Sequence, residues 1–161
     1  MNKKEITCCF TGHRFIPKCD EKTLENRLDG IMEELIGKGF AVFCSGGALG
    51  FDALAAKAVI RLKEKYPHIK LVMLLPCKEQ DNLWSEHDRR EYSRILGMAD
   101  KISYAEESYA RGCMHKRNRQ LVDSSGLCVA YLKKAAGGTA YTVNYALKNG
   151  VSVINLALTG V

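Results

Sequence analysis

The chain has 161 residues, 47% of them hydrophobic and 26% charged, which is enough for a single domain with a substantial core. No apolar run approaches the ~20 residues that a membrane-spanning helix needs, and no signal peptide fits before the first predicted strand, so we expect one cytoplasmic domain over residues 1–161. Seven cysteines without a CxxC pair indicate buried thiols rather than a disulfide framework or a metal site, and the net charge of +6 suits an anionic ligand or nucleic acid without identifying either.

Strands and helices are predicted to alternate along the chain. Short β-rich or apolar runs predict strands over residues 5–10, 40–44, 70–76, 101–104, 127–132 and 151–155. Helical spacing of apolar residues, with capping and stop signals, predicts helices over residues 20–36, 51–65, 85–99, 111–123 and 137–147. This alternation predicts an α/β fold, Rossmann-like and doubly wound, with a mainly parallel sheet of about six strands and helices on both faces.

The loops that follow the strands carry the unusual residues of the chain. In a doubly wound sheet, ligands bind beyond the carboxyl ends of the strands, near the point where the strand order reverses. With the usual order 3-2-1-4-5-6, the loops after strands one, two, four and five open onto one crevice. Those loops comprise residues 11–14, 45–52, 104–118 and 133–139. Their convergence is the main reason to expect a ligand site there.

Two glycine turns, each opening a helix, predict the phosphate-binding part of that site. The first is Ser45-Gly46-Gly47-Ala48-Leu49-Gly50-Phe51-Asp52 and the second is Gly137-Gly138-Thr139. Glycine allows close approach of the backbone, and a helix N-terminus attracts an anion. We expect Gly46, Gly47, Gly50, Gly138 and Thr139 to hold phosphate or ribose; the alternative is a pair of tight turns before packed helices.

Other nucleotide motifs are absent. The turn after the first strand is Thr11-Gly12-His13-Arg14 instead of G-x-G-x-x-G, and no P-loop pattern occurs, which disfavours an NAD dehydrogenase and a conventional ATPase. We predict that Arg14 clamps a phosphate and that His13 donates a hydrogen bond or stacks on a base. The alternative is a surface turn with a salt bridge.

Further candidate contacts come from three other segments. Asp52 is either a partner of the helix dipole or an acceptor for a ribose hydroxyl. The basic cluster 111–119 is typical of a solvated helix face, but Arg117 and Asn118 are predicted to contact the ligand at its rim. Gln80 and Trp84 are predicted to form a lid, with Trp84 stacking on a base; alternatively, Trp84 only covers the core.

No catalytic or metal site is predicted. The chain has no paired carboxylates at motif positions, no Ser-His-Asp order and no metal-ligand spacing. Ser45 lacks the nucleophile-elbow pattern G-x-S-x-G, because Phe43 and Cys44 precede it.

Taken together, these motifs resemble the SLOG superfamily, the Rossmann-like group that contains the DNA-processing protein DprA and the LONELY GUY phosphoribohydrolases. The YpsA-like branch is the most similar. The resemblance rests on Thr11–Arg14, Ser45–Asp52, Gln80 with Trp84, Arg117-Asn118 and Gly137–Thr139. It implies a nucleotide or nucleotide-derived ligand such as ADP-ribose, with a role in sensing or regulation. The sequence identifies no cofactor beyond such a ligand.

Two alternative functions follow from the same resemblance. LONELY GUY enzymes carry P-G-G-x-G-T-x-x-E, and this chain has Ala136, Ala140, Tyr141 and Asn144 at the Pro, Gly, Thr and Glu positions, which disfavours cleavage of an N-glycosidic bond. DprA is larger; binding of single-stranded nucleic acid would use the basic rim, although few aromatic residues interleave with it in the sequence. No surface can be assigned to a homo-oligomer.

Overall fold

The computed structural model describes residues 2–157, in which strands and helices alternate along the chain. The strands are β1 Thr7–Gly12, β2 Val42–Ser45, β3 Lys70–Leu75, β4 Lys101–Tyr104, β5 Leu127–Tyr131 and β6 Ser152–Asn155. The helices are α1 Lys18–Gly37, α2 Phe51–Lys63, α3 Glu86–Met98, α4 Cys113–Asp123 and α5 Gly138–Lys148. The predicted α/β, Rossmann-like architecture is confirmed.

All pairings in the sheet are parallel, in the order β4-β3-β2-β1-β5-β6. The predicted order 3-2-1-4-5-6 is therefore wrong, because β4 pairs with β3 at the edge and β5 pairs with β1. The residues of β4 are mostly exposed, whereas every residue of β5 is buried. A short, polar strand suits a sheet edge, and a fully apolar one suits the interior. The strand order consequently reverses between β1 and β5.

Helices cover both faces of the sheet. On one face α2 contacts β1, β2 and β3 and lies between α1 and α3. Its small residues Ala55, Ala56 and Ala58 are fully buried, so it packs closely against the sheet and its neighbours. On the other face α5 contacts β1, β5 and β6, and α4 packs beside it. Because α4 follows edge strand β4 yet also contacts β1, it brings its residues back to the point of reversal.

Local signals place the helix starts. The Ser85 side chain accepts a hydrogen bond from the Asp88 backbone N–H at 3.1 Å, as the predicted cap of α3 requires. Asp20, by contrast, lies in the first turn of α1 and is not its cap. The helix begins directly after Pro17, whose ring fixes φ near the helical value, so it starts two residues earlier than predicted.

The cysteines are all free thiols, and all except Cys19 are buried. Cys9 lies between Cys44 on β2 and Cys128 on β5, in register on three adjacent strands. Burial raises the pKa of Cys44 to about 12, so this thiol stays protonated and packs as a small apolar side chain.

Over residues 2–157, no helix combines the length and apolar character that crossing a bilayer would demand.

Candidate functional site

A cavity of about 260 Å³ opens at the carboxyl ends of β1 and β5, where the strand order reverses. We call it the switch-point cavity. It is lined by Thr11, Gly12, His13, Arg14, Ala48, Asp52, Met114, Arg117, Asn118, Ala136, Gly137, Gly138 and Thr139. All four predicted segments therefore contribute to this cavity, the segment 104–118 through residues on α4, and most of the predicted site residues lie together.

A second cavity of about 360 Å³ lies on the other side of the loop that leads into α2. We call it the Trp84 cavity. Most of its lining comes from the loop after β1, from α2 with the loop before it, and from α3 with the loop before it; α1 and β3 contribute one residue each. Of the predicted site residues, it contains Gly47, Gly50 and Trp84, and it shares Arg14 with the switch-point cavity. The other polar and aromatic residues of its lining include Lys57, Glu91 and Tyr92. They were not predicted as site residues, because their sequence pattern is that of ordinary positions within a helix.

Three predicted residues line neither cavity and instead hold the loop before α2. The Ser45 hydroxyl donates to the Asp52 carbonyl at 3.1 Å and accepts from the Gly47 N–H at 3.2 Å. The Gln80 amide donates to the Gly46 carbonyl at 3.3 Å and to the Tyr92 hydroxyl at 3.0 Å. All three of Ser45, Gly46 and Gln80 are buried. They shape the wall between the cavities by hydrogen bonding within the protein.

Gly50 is required by the packing of the loop after β1 against α2. Its φ is +79°, and a Cβ at this position would lie 2.2 Å from the Arg14 carbonyl oxygen. This close approach lets the His13 carbonyl accept the Phe51 N–H at 3.1 Å, so one of the free donors at the start of α2 is satisfied by the protein itself. The Ala48 N–H likewise donates to the Asp52 carboxylate at 3.2 Å.

The start of α5 differs from the start of α2. Gly137 occupies the N-cap position with φ +102°, and no side chain caps the helix. Gly137 and Gly138 are exposed, and a Cβ at either position would meet no heavy atom within 4 Å. Packing within residues 2–157 therefore does not explain a glycine at position 138, where φ is not left-handed. The start of α5, unlike the start of α2, is therefore left open to a ligand in the switch-point cavity.

His13 connects the loops on either side of the point of reversal. Its Nε2 accepts a hydrogen bond from the Lys133 backbone N–H at 2.8 Å, and its ring makes an edge contact with Tyr131. Burial, followed by the charges of Lys134 and Lys133, lowers the pKa of His13 below its ordinary 6.5. The imidazole is therefore neutral at pH 7 with its proton on Nδ1, which is the nitrogen left to donate a hydrogen bond to a ligand.

Arg117 is buried, with 4% of its surface exposed, so the prediction that it lies at the rim is wrong. Its guanidinium donates to the Gly46 carbonyl, and its Nε donates to Asn118 Oδ1 at 2.8 Å. A Cβ on Gly46 would lie 2.6 Å from the guanidinium, so glycine is needed there for Arg117 to enter. Sequence spacing could not reveal this burial, because arginine in a basic helix usually faces solvent. Asn118 is half-buried and does lie at the edge of the cavity.

Asp52 is buried at the base of the switch-point cavity, with 6% of its surface exposed. Burial raises the pKa of its carboxyl from 3.8 to about 6, although the charge of Arg117, the Ala48 N–H and the charge of Arg14 all act to lower it. At pH 7 the carboxylate is mainly ionised, and two arginines face it in the cavity. The balance of charge leaves the cavity favourable for an anion.

Over residues 2–157, no group of three or more His, Cys, Asp or Glu side chains is arranged to hold a metal ion. The Glu position of the LONELY GUY pattern is occupied by Asn144, which is exposed on α5 and lines neither cavity.

Comparison with solved structures supports the fold. DNA processing protein A from Helicobacter pylori, whose structure was reported for its single-stranded DNA binding mode, superposes with a TM-score of 0.66 at 18% identity. The match covers 93% of this chain and 64% of that chain, so this chain spans less than two thirds of the larger protein. At this level of identity, the likeness is one of fold.

Comparison with curated sequences supports a narrower relationship. The SPbeta prophage-derived protein YoqJ of Bacillus subtilis is 38% identical over 138 residues, covering 78% of this chain and 81% of the relative. The UPF0398 protein YpsA of the same organism is 30% identical over 131 residues, covering 80% of this chain and 71% of the relative. The family model described as the YspA SLOG family matches residues 16–154. The chain is a member of the YpsA-type SLOG family.

Proposed function

We propose that the switch-point cavity binds a nucleotide or a nucleotide-derived ligand such as ADP-ribose, with a phosphate at the N-terminus of α5. The observation that carries this proposal is the open start of α5, where Gly137 and Gly138 face a cavity that Arg14 and Arg117 also line. Unpaired N–H groups and the positive end of the helix dipole favour phosphate at such a position. Arg14 is exposed and able to neutralise it, while Arg117 contributes charge from below.

The remaining lining suits the ribose of the same ligand. Thr11 and Thr139 bring hydroxyl groups to the cavity, and the ionised Asp52 accepts hydrogen bonds. Asp52 is the one carboxyl group among the lining residues, and Asn144, which stands at the Glu position of the LONELY GUY pattern, does not line the cavity. We therefore propose binding without turnover, as in a sensor or regulator, over hydrolysis of a nucleoside monophosphate.

Replacing Gly138 with alanine tests the position of the phosphate. A Cβ there meets nothing within 4 Å, so the fold is expected to be retained, but the methyl group would hinder a phosphate that approaches the backbone. We expect the affinity for ADP-ribose, measured by calorimetry, to fall by about tenfold or more. Gly97→Ala, in α3 and also free of contacts, is the matched control and should bind as the wild type does.

Three outcomes of this experiment would count against the proposal. Equal affinity of the two alanine variants for ADP-ribose would show that no phosphate binds at the N-terminus of α5. Failure of the wild type to bind both ADP-ribose and AMP would refute the proposal that the cavity is a nucleotide site. Chromatography of the mixtures completes the test, because release of free base or ribose phosphate would favour the hydrolase instead.

A second candidate, binding of single-stranded DNA, is favoured by a surface on α4 and α5. Tyr141 and Tyr145 are stacked with ring centroids 6.5 Å apart, and the His115 ring contacts Tyr141 at 4.4 Å. The Arg119 guanidinium donates to the Tyr141 hydroxyl at 3.0 Å. The sequence did not predict this arrangement, because the aromatic residues belong to α5 and the basic residues to α4, so they do not interleave along the chain. Aromatic rings beside basic side chains are typical of single-stranded nucleic-acid sites, and the H. pylori relative in fold binds such DNA.

A labelled oligothymidylate would test this second candidate. If the surface binds DNA, Tyr141→Ala together with Tyr145→Ala should weaken binding by about tenfold or more, and the affinity should fall steeply with salt concentration. Tyr66→Ala, on the opposite face of the sheet beside Glu33, is the control. Binding that is insensitive to salt, or equal in the double variant and the wild type, would rule the surface out.

A further inference from the structure

The Trp84 cavity and the switch-point cavity are adjacent. Both are lined by Ala48 and Arg14, one at the loop before α2 and the other in the loop after β1. Within residues 2–157 the exposed Arg14 side chain makes no hydrogen bond or ion pair. An unpaired guanidinium between two cavities is placed to hold an anionic group that links two parts of one ligand.

The wall of the Trp84 cavity suits a planar ring. Trp84 packs edge-to-face against Tyr92 with ring centroids 5.0 Å apart, and Leu54 and Ile95 extend the apolar surface. Phe15 also lines the cavity with 76% of its surface exposed, although most phenylalanine side chains are buried. Aromatic side chains that are partly exposed around a cavity offer stacking surfaces for a base. The volume of about 360 Å³ lies within the range of small-molecule pockets.

The charges of this cavity differ from those of its neighbour. Glu21, Asp88 and Glu91 line it, and Lys57 is paired with Glu91 at 3.1 Å. A second phosphate group would meet these carboxylates unfavourably, whereas ribose hydroxyls, base amino groups or a cationic ring would find acceptors. We therefore expect the Trp84 cavity to hold a nucleoside whose phosphate lies outside it, at Arg14.

We infer that the two cavities together bind a dinucleotide: one nucleotide in the switch-point cavity, the linking diphosphate at Arg14, and the second nucleoside in the Trp84 cavity. This inference rests on the proposed nucleotide function and narrows its ligand to a class with two nucleosides. In such a ligand the phosphate at the N-terminus of α5 is one half of the linking diphosphate, and Arg14 neutralises that linkage.

Trp84 is the single tryptophan of the chain, so its fluorescence reports directly on this cavity. Titration with nicotinamide adenine dinucleotide should change the emission of Trp84, and its affinity should exceed that of AMP by about tenfold. AMP, which fills the switch-point cavity alone, should bind in calorimetry with little change in emission. Free N-acetyltryptophanamide in the same titrations corrects for absorption by the ligands.

Two variants separate the second cavity from the first. Ala53→Phe places a ring in the Trp84 cavity from α2 and should weaken the dinucleotide by about tenfold while leaving AMP unaffected. Phe15→Ala truncates a largely exposed side chain, so it retains the fold and should weaken the dinucleotide several-fold, again without effect on AMP.

The outcomes distinguish this inference from the function on which it rests. If AMP and the dinucleotide bind equally and the emission of Trp84 is unchanged, the second subsite is refuted and the nucleotide site stands. If Phe15→Ala weakens both ligands alike, the second nucleoside does not lie in the Trp84 cavity. If neither ligand binds the wild type, both proposals fail.

Discussion

Replacing Gly50 with alanine is expected to lower the free energy of unfolding by about 3 kcal/mol or more. At φ +79° and ψ −120° an L-residue is strained whatever space surrounds it. The added Cβ would also lie 2.2 Å from the Arg14 carbonyl oxygen and 2.6 Å from the His13 carbonyl oxygen, both of them backbone atoms. The loop after β1 would have to move, which breaks the hydrogen bond from the Phe51 N–H to His13.

Urea unfolding of Gly50→Ala beside Gly30→Ala measures this effect. Gly30 lies inside α1 with no heavy atom near its missing Cβ, so alanine there should stabilise the protein by about 0.5–1 kcal/mol. The two substitutions are chemically identical and are expected to act in opposite directions. A cost below about 1 kcal/mol at position 50 would mean that the loop after β1 yields easily and does not set the geometry of Arg14.

The sequence revealed the alternation of elements because its signals are local. The apolar run of β5 and the capping residue Ser85 each act within a few residues, and the structure retains both. Strand order depends instead on which strand is apolar enough for the interior. The polar residues Lys101 and Ser103 suit β4 to an edge position beside β3, whereas the order 3-2-1-4-5-6 places it beside β1 in the interior.

The site was predictable in its location but less so in the role of each residue. Loops after β1, β2 and β5 meet because parallel strands end at one edge of the sheet, and this follows from topology. The topology does not predict the burial of Arg117. That burial requires a glycine at position 46, and it requires α4, which follows edge strand β4, to return and contact β1. The Trp84 cavity likewise arises from several elements that are distant in sequence, so no local motif marks it.

The buried charge of Arg117 is expected to matter for stability through Asp52. Arg117→Met removes a donor to the Gly46 carbonyl and leaves the Asp52 carboxyl without its main neighbouring positive charge. We expect a loss of about 3 kcal/mol in the free energy of unfolding near neutral pH, since unpaired buried charges and carbonyls are costly. Arg119→Met, on the same helix but with its guanidinium at the surface beside Tyr141, should cost less than about 1 kcal/mol.

The pH dependence of that loss identifies its cause. In the wild type the folded-state pKa of Asp52, about 6, exceeds its ordinary 3.8, so the folded state binds this proton more tightly than the unfolded state does. Stability from this group therefore falls between about pH 4 and about pH 6 and then levels off. Without Arg117 the folded-state pKa rises further and the fall continues to higher pH, so Arg117→Met should cost more at about pH 8 than at about pH 5.

Asp52→Asn in the Arg117→Met background removes the titrating group and should abolish this difference between the two pH values. The asparagine amide still offers an oxygen that can accept from the Ala48 N–H, so the hydrogen bond that holds the loop before α2 is retained. Unfolding of the wild type and the three variants at both pH values completes a double-mutant cycle. An equal cost of Arg117→Met at both pH values would mean that Arg117 stabilises the loop before α2 through its hydrogen bonds alone. A cost that grows with pH, and disappears as predicted in the double variant, would establish that the two buried charges stabilise each other beneath the cavity.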